Sequence, residues 1–293
     1  MKIMEDIILI AGPTASGKTG LAIEIAQAND AVIINTDSMQ VYSDLRIITA
    51  RPSPEEEAAA LHFLFGYKDA AEAYSVAHWL NDVEPLLAGF LTEQRKVIFV
   101  GGTGLYFNAL LFGLSPMPEI DPLVREKWRT SDLASGDLYK ELTTLDPEAA
   151  SQLRLSDRQR IVRALEVVES TGKSILEWQE GQGASLLPEN LATKRVLLMP
   201  ERALLHERIN MRFDQMVEAG GLDEVEHLLQ RKLDPSLPAM KAIGVPQLAA
   251  HLAGELPLEE AIEKAKAATR QYAKRQSTWF KNSFEEGWEK ILS

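Results

Sequence analysis

The chain has 293 residues, of which 45% are hydrophobic and 25% charged, an ordinary soluble balance with room for one large domain or one domain carrying a sizeable insertion. With no cysteine in the sequence, disulfides, thiol nucleophiles and cysteine-ligated zinc are excluded. The formal net charge of −12 excludes a surface coated in cations, so any contact with nucleic acid has to use cations gathered in particular places.

The N-terminal run "IILIA" follows Glu5 and Asp6 and is too short for a secretion signal or a membrane span, so a cytoplasmic protein without a membrane partner is expected. Continuous and apolar, it ends in glycine, the pattern of a strand buried on both faces. "KTGLAIEIAQAN" predicts a helix with Leu21 and Ile25 on one face. "AVIINTDS" and "RKVIFVGGTG" predict two further buried strands, separated by a mostly helical stretch from about Pro54 to Gln94. This alternation is that of a parallel sheet covered by helices. From Asp121 to about Gly181 only helical signals occur, and "KRVLLMP" returns to the sheet. The expected organisation is a core of 1–120 and 182–293 with an all-helical insertion, 121–181, and a helical C-terminal region broken at "AGG", "DPSLP" and "GEL".

Gly12, Pro13, Thr14, Ala15, Ser16, Gly17, Lys18 and Thr19 satisfy the phosphate-loop pattern at every fixed position, between a strand and a helix as that motif requires. The glycines let backbone N–H groups turn inward, and the helix N-terminus adds partial positive charge. Lys18 supplies a cation, and the Thr19 hydroxyl is placed to hold a Mg²⁺ bridging phosphate oxygens. The pattern specifies a phosphate ligand, not a reaction. Asp37 and Ser38 follow the second strand on the same rim, where Asp37 reads equally as a cap of the next segment or as a general base. The strand "VIFV" ends in Gly101, Gly102 and Thr103, where a nucleotide hydrolase of this P-loop class would carry an acidic residue.

"GPTASGKT", "DSMQVY", "VGGTGLYFNALLFGLSP", "RQRIVRALEV", "KAIG" and "TRQYAKRQSTWF" occur in this order, and together the chain closely resembles the bacterial tRNA dimethylallyltransferases, also called tRNA isopentenyltransferases, from about Ile7 to Lys281. The resemblance implies a P-loop NTPase-like, kinase-like α/β fold. It implies transfer of a dimethylallyl group from dimethylallyl diphosphate to N6 of the adenosine 3′ of the anticodon, in tRNAs reading codons that begin with U. On that reading the loop cradles the donor's diphosphate, a carbon–oxygen bond breaks, and no attacking water has to be positioned.

The same resemblance makes Asp37 the base, and makes Thr103 and Arg125 contacts near the reacting centre. It assigns the tRNA anticodon stem-loop to Asp37, Ser38, Met39 and Gln40, to Gln159, Arg160, Ile161, Val162 and Arg163 of the insertion, and to Lys241 and Gly244. Val245 and Pro246 depart from the aromatic and basic residues of many relatives, and Arg51 keeps the cation of a more common "GTAKPS"-like run. Lys266, Arg270, Lys274 and Lys281 follow near-helical spacing and are expected to form one basic stripe facing RNA. Tyr272, Trp279 and Phe280 read as packing residues. A monomer is expected. The rival readings are a small-molecule kinase of the same fold, an adenylate isopentenyltransferase, and a non-catalytic nucleotide-dependent switch.

Overall fold

The structure, a computed structural model, describes residues 4–181, 183–188, 190–284 and 287–292. Its contacts divide the chain into two compact units, 1–111 with 186–293, and 112–185.

The larger unit is built on six parallel strands: β1 Ile7–Ala11, β2 Val32–Asn35, β3 His62–Phe63, β4 Val97–Gly101, β5 Thr193–Leu198 and β6 Glu289–Ile291, in the order β3-β2-β4-β1-β5-β6. β1, β2 and β4 are buried along their whole length, as their unbroken apolar runs require of strands covered on both faces. One face packs Leu9, Ile34 and Phe99 against Trp79, Phe107 and Phe280, and the other packs Ile8, Ile33 and Ile98 against Ala22 and Ile25. β1 and β4 run in register to Ala11↔Gly101, so the two glycine-bearing loops leave the sheet side by side.

The helices in chain order begin with α1 Lys18–Asn29, α2 Pro54–Ala59, α3 Val76–Thr92 and α4 Gly104–Phe112. In the smaller unit follow α5 Pro122–Arg129, α6 Ser135–Leu145, α7 Pro147–Gln152, α8 Arg158–Thr171 and α9 Ile175–Gln179. Back in the larger unit are α10 Arg202–Met216, α11 Leu222–Gln230, α12 Val245–Leu252 and α13 Leu258–Ser283. A wide turn at Val217–Gly221, with Gly220 at φ 100°, links α10 to α11 at the break "AGG". None of the described helices is long and apolar enough to cross a membrane.

Three expectations need correction. β3 lies inside the stretch read as mostly helical, and β6 ends a region read as wholly helical; strands of two or three residues carry no periodicity to detect. β6 is delivered to β5 by Trp288, which stacks on Phe284 with centroids 4.1 Å apart. The helical unit spans 112–185 rather than 121–181, because the chain entering it and the chain leaving it touch: a Cβ on Gly113 would lie 2.5 Å from the Ala184 carbonyl. That unit has its own core, including Leu138, Leu142, Ile161 and Leu165.

Candidate active site

The loop after β1 turns through two left-handed residues, Ala15 at φ 63° and Gly17 at φ 88°, and α1 starts at the next residue. Only a glycine enters that second position freely, and the turn aims the first-turn amides of α1 into the loop's concavity. Gly12 is needed for a different reason: a Cβ there would lie 2.8 Å from the Leu198 carbonyl oxygen of β5. Ser16 is buried, and its hydroxyl has no hydrogen-bond partner among the described residues. A buried polar group left unpaired costs about 1–3 kcal/mol, so a ligand that accepts hydrogen bonds fits here.

Lys18 folds back so that its ammonium donates to the Pro13 carbonyl at 3.0 Å. Burial pushes its pKa down to about 8, with Arg212 adding to the fall and Asp37 opposing it. Arg212 comes from α10, donates to the Thr14 hydroxyl, and has its own pKa lowered by burial to about 10. The two cations and one carboxylate therefore share a partly desolvated space at the end of the sheet.

The Lys18 shift has a sign that stability measurements read. Its folded-state pKa, about 8, lies below the unfolded 10.5, so between those values the unfolded chain binds more protons and stability rises with pH. Wild type is expected to gain on the order of 2–3 kcal/mol over Lys18→Met across that window, and no relative gain below its lower edge. Urea unfolding of the two proteins at pH 7.5 and 10, values chosen near the ends of that window, checks this.

Asp37 sits just past β2, held by Asn35, whose Oδ1 accepts the Asp37 N–H at 2.7 Å and whose Nδ2 donates to the Asp37 carbonyl at 2.9 Å. Asn35 is fully buried. The cap reading of Asp37 occupies only one of its oxygens. Oδ1 accepts the Met39 N–H at 3.0 Å, while Oδ2 points toward Gly102, 3.5 Å from where a Cβ on that glycine would lie. The glycine turn is equally specific, since a Cβ on Gly101 would lie 2.3 Å from the Thr36 backbone and one on Gly104 2.0 Å from the Trp279 ring. Thr103 Oγ1 accepts the Ser38 N–H at 3.0 Å and so ties this turn to the Asp37 loop.

These groups border three adjoining spaces in the larger unit. A cavity of about 320 Å³ is lined by Thr14, Asp37, Ser38, Arg212, Lys241 and Tyr272, with an apolar wall that includes Ile48, Phe213 and Met216. A cleft of about 570 Å³ on the other side runs along Ala15 to Gly20 and is edged by Arg46, Arg51, Arg208 and Arg212. Between them a small space of about 50 Å³ holds Lys18, Thr19 and Asp37. The arrangement has an anion cradle on one side, a half-apolar pocket on the other, and a carboxylate that lines the pocket and the small space between them.

Several residues read as contacts are buried or already hold partners within the chain. Ile161 is fully buried in the helical unit's core, and Val162 packs against that core, because an α-helix with a buried stripe turns those positions inward. Gly244 is buried at φ 105° beside Ile48, and its N–H already donates to Gln247 Oε1. Gln40 Nε2 donates to the Thr49 and Ala50 carbonyls at 3.0 and 2.8 Å, shaping the loop between the cavities. Lys266 leaves the basic stripe, being only 8% exposed and paired with Asp214 at 2.8 Å and Glu263 at 3.0 Å. Arg270 donates to Asn210 at 2.6 Å, whereas Lys274 and Lys281 are exposed. Tyr272 lines the Asp37 cavity instead of packing in the core, while Phe280 is buried as read. Burial and the negative charge of Asp37 push the Tyr272 phenol up.

In the helical unit Gln159 and Arg160 are exposed, with Arg160 3.4 Å from Asp157. Arg163 pairs with the buried Glu166 at 3.2 Å. Arg125 is exposed on α5 and has no ion-pair partner among the described residues, so the surface salt bridge that would explain it away is not formed. Arg212, Arg275 and Gln276 were not singled out by sequence. The signal for Arg212 was slight: an arginine three residues past Ile209 and one before Phe213, both buried.

Comparison with known proteins agrees with this geometry. The model of the family described as IPP transferase matches residues 40–283, and one described as isopentenyl transferase matches residues 5–63. A tRNA dimethylallyltransferase of Chelativorans sp. (strain BNC1) is 52% identical over 289 residues, covering 98% of this chain and 99% of the relative. One from Bartonella henselae is 51% identical over 284 residues, covering 96% and 97%. Among solved structures, the full-length tRNA isopentenylpyrophosphate transferase of Bacillus halodurans superposes with a TM-score of 0.69 at 34% identity, covering 98% of this chain and 90% of that one. A eukaryotic dimethylallyltransferase acting on tRNA gives 0.79 at 29% identity, covering 94% and 70%.

Proposed function

The chain belongs to the IPP transferase family, and from that premise we propose that it transfers the dimethylallyl group of dimethylallyl diphosphate to N6 of the adenosine 3′-adjacent to the anticodon of tRNA. The observation that carries the chemistry is that Asp37, with Oδ2 left free of the cap, lines a space shared with Lys18, Thr19 and Arg212. Adenine N6 attacks C1 of the donor as the C1–O bond breaks. The bonding pair leaves with the diphosphate, and the proton displaced from N6 passes to Asp37. Lys18, Arg212 and the amides at the start of α1 stabilise the charge that grows on the leaving group, in a site where burial makes each cation count for more than in water.

A Mg²⁺ fits Thr19. No three of His, Cys, Asp and Glu gather to cage an ion among the described residues, and Mg²⁺ is commonly held by a protein oxygen or two together with substrate phosphates. Thr19 would hold it, and when bound it would neutralise part of the leaving group's charge. The half-apolar cavity takes the adenine, which has to be turned out of its loop to reach Asp37. Tyr272 and Met39 offer it apolar surface, and Arg275 and Lys241 stand at the rim for phosphate. Gln159, Arg160, Arg163 and Arg125 are the helical unit's proposed substrate contacts on this reading. The sequence alternatives of a kinase and a nucleotide switch have no support from the relatives, and a free-nucleotide acceptor leaves the cations of α13 without a role.

The test is incubation with Mg²⁺, dimethylallyl diphosphate and unmodified tRNA, followed by mass analysis of the digested nucleosides. Dimethylallyladenosine is the expected product; its absence, with a phosphorylated metabolite formed from ATP, would overturn the reading. Lys274→Glu is a separate probe of the RNA face. It is expected to weaken tRNA affinity and to lower the slope of log K against log salt by roughly 1–2, leaving donor binding unchanged. Titrating labelled tRNA at several salt concentrations checks it.

A further inference from the structure

The motif "TRQYAKRQSTWF" carries one polar side chain that is buried, Gln276. Gln276 is only 6% exposed, on the face of α13 that otherwise buries Ala273 and Phe280. Its Oε1 accepts the Thr14 N–H at 2.9 Å, and its Nε2 donates to the Gly102 carbonyl at 2.8 Å. The orientation is unambiguous, since one partner can only donate and the other only accept.

Those two partners lie where β1 and β4 stop pairing. The last register pair is Ala11↔Gly101, after which the phosphate loop and the glycine turn diverge. The amide of Gln276 takes the place of the next rung, receiving an N–H from one loop and giving one to the other. Gly102 must lack a Cβ for this to occur, because a Cβ would lie 2.3 Å from Gln276 Nε2. One residue on, Thr103 holds the Ser38 N–H, and so the loop that carries Asp37. Tyr272, one turn back on α13, lines the cavity that Asp37 borders.

We infer that Gln276 is a positioning residue for the transfer step: its side-chain amide sets the phosphate loop against the turn that carries the base-bearing loop, and so fixes the distance from departing diphosphate to Asp37. The inference rests on the functional reading above. A displacement of about 1 Å between reacting groups is enough to lower a rate by on the order of 10²-fold, and no residue of the cradle itself need be lost for that to happen.

The experiment compares wild type with Gln276→Glu, Gln276→Met and Gly102→Ala. Glutamate keeps the acceptor for Thr14 but turns the donor facing Gly102 into an acceptor; methionine removes both; the alanine attacks the same link from the other loop. Steady-state transfer is measured well below each melting temperature, beside the affinity for inorganic pyrophosphate with Mg²⁺. Each variant is expected to lose about 10–100-fold in kcat, with KM for donor and tRNA and the pyrophosphate affinity within about threefold of wild type. Adding Gly102→Ala to Gln276→Met is expected to lower kcat little further, because both break one link. A merely structural glutamine would lower the melting temperature and leave kcat of the folded protein unchanged. Active wild type with kcat within about twofold in the single variants, or with the whole loss in donor KM and pyrophosphate affinity, would overturn the inference alone. Wild type that makes no prenylated adenosine would overturn the functional reading, and this inference with it. Gln276→Glu differs by a single amide-to-acid exchange of the same shape, so it serves where the methionine variant does not fold.

Discussion

Asp37→Ala is expected to lower the single-turnover rate of adenosine prenylation by ~10²–10⁴-fold, the span of a general base, while leaving pyrophosphate affinity close to that of wild type. The size follows from the nucleophile. The N6 lone pair of adenine is delocalised into the ring, so attack on carbon becomes favourable as a proton leaves, and Asp37 Oδ2 is the carboxylate oxygen that the Met39 N–H leaves free. Asp37→Asn sharpens the test, since its side-chain oxygen can still accept the Met39 N–H that Oδ1 now accepts at 3.0 Å. The Asn variant is therefore expected to keep the local turn and lose the proton acceptor. A rate for Asp37→Asn within a few-fold of wild type would remove the carboxylate from the chemistry and return it to capping. Rapid-quench single turnovers with pre-bound tRNA separate this from any effect on assembly.

The second large effect is expected from Arg212→Ala, a loss on the order of 10²–10³-fold in transfer, comparable to removing one preorganised donor from a site of developing charge. Burial lowers the pKa of Arg212 only to about 10, so it enters the reaction as a cation at neutral pH. It is tied to the phosphate loop through the Thr14 hydroxyl, which on the proposed reading sets it beside the leaving group. Arg212→Lys is expected to restore only part of the rate, because a lysine cannot bond Thr14 and a phosphate oxygen through one planar fork. Pyrophosphate affinity should fall in both variants while tRNA affinity stays constant. A drop confined to tRNA binding would move Arg212 out of the diphosphate site. Calorimetric titration with pyrophosphate and filter binding with tRNA distinguish the outcomes.

What could be read from sequence and what could not divides along a physical line. The phosphate loop, Asp37 and the glycine turn were legible because each is a local pattern at the end of a run of apolar residues, and a parallel sheet brings such ends to one rim. Arg212 and Gln276 were not legible, because each acts on a loop that the chain reaches only after a long excursion. Arg212 and Thr14 are separated by 198 positions, and Gln276 and Thr14 by 262. The basic stripe failed in part for a related reason: helical spacing counts cations along α13 but does not reveal that Asp214, on α10, neutralises Lys266. Ile161 was carried into the RNA-contact set by its place in a motif, whereas the helical period that buries Leu165 four residues later also buries Ile161. β3 and β6 escaped because edge strands this short are defined by their neighbours and not by their own sequence.

The most direct measurement is a crystal structure of the protein with Mg²⁺, a non-reactive thio analogue of dimethylallyl diphosphate and an anticodon stem-loop. The expected result has both phosphorus atoms inside the loop from Gly12 to Thr19, within reach of Lys18 and Arg212, and adenine N6 hydrogen-bonded to Asp37 Oδ2. Phosphorus bound elsewhere, or a nucleobase seated with Asp37 turned away from it, would contradict the mechanism at its root.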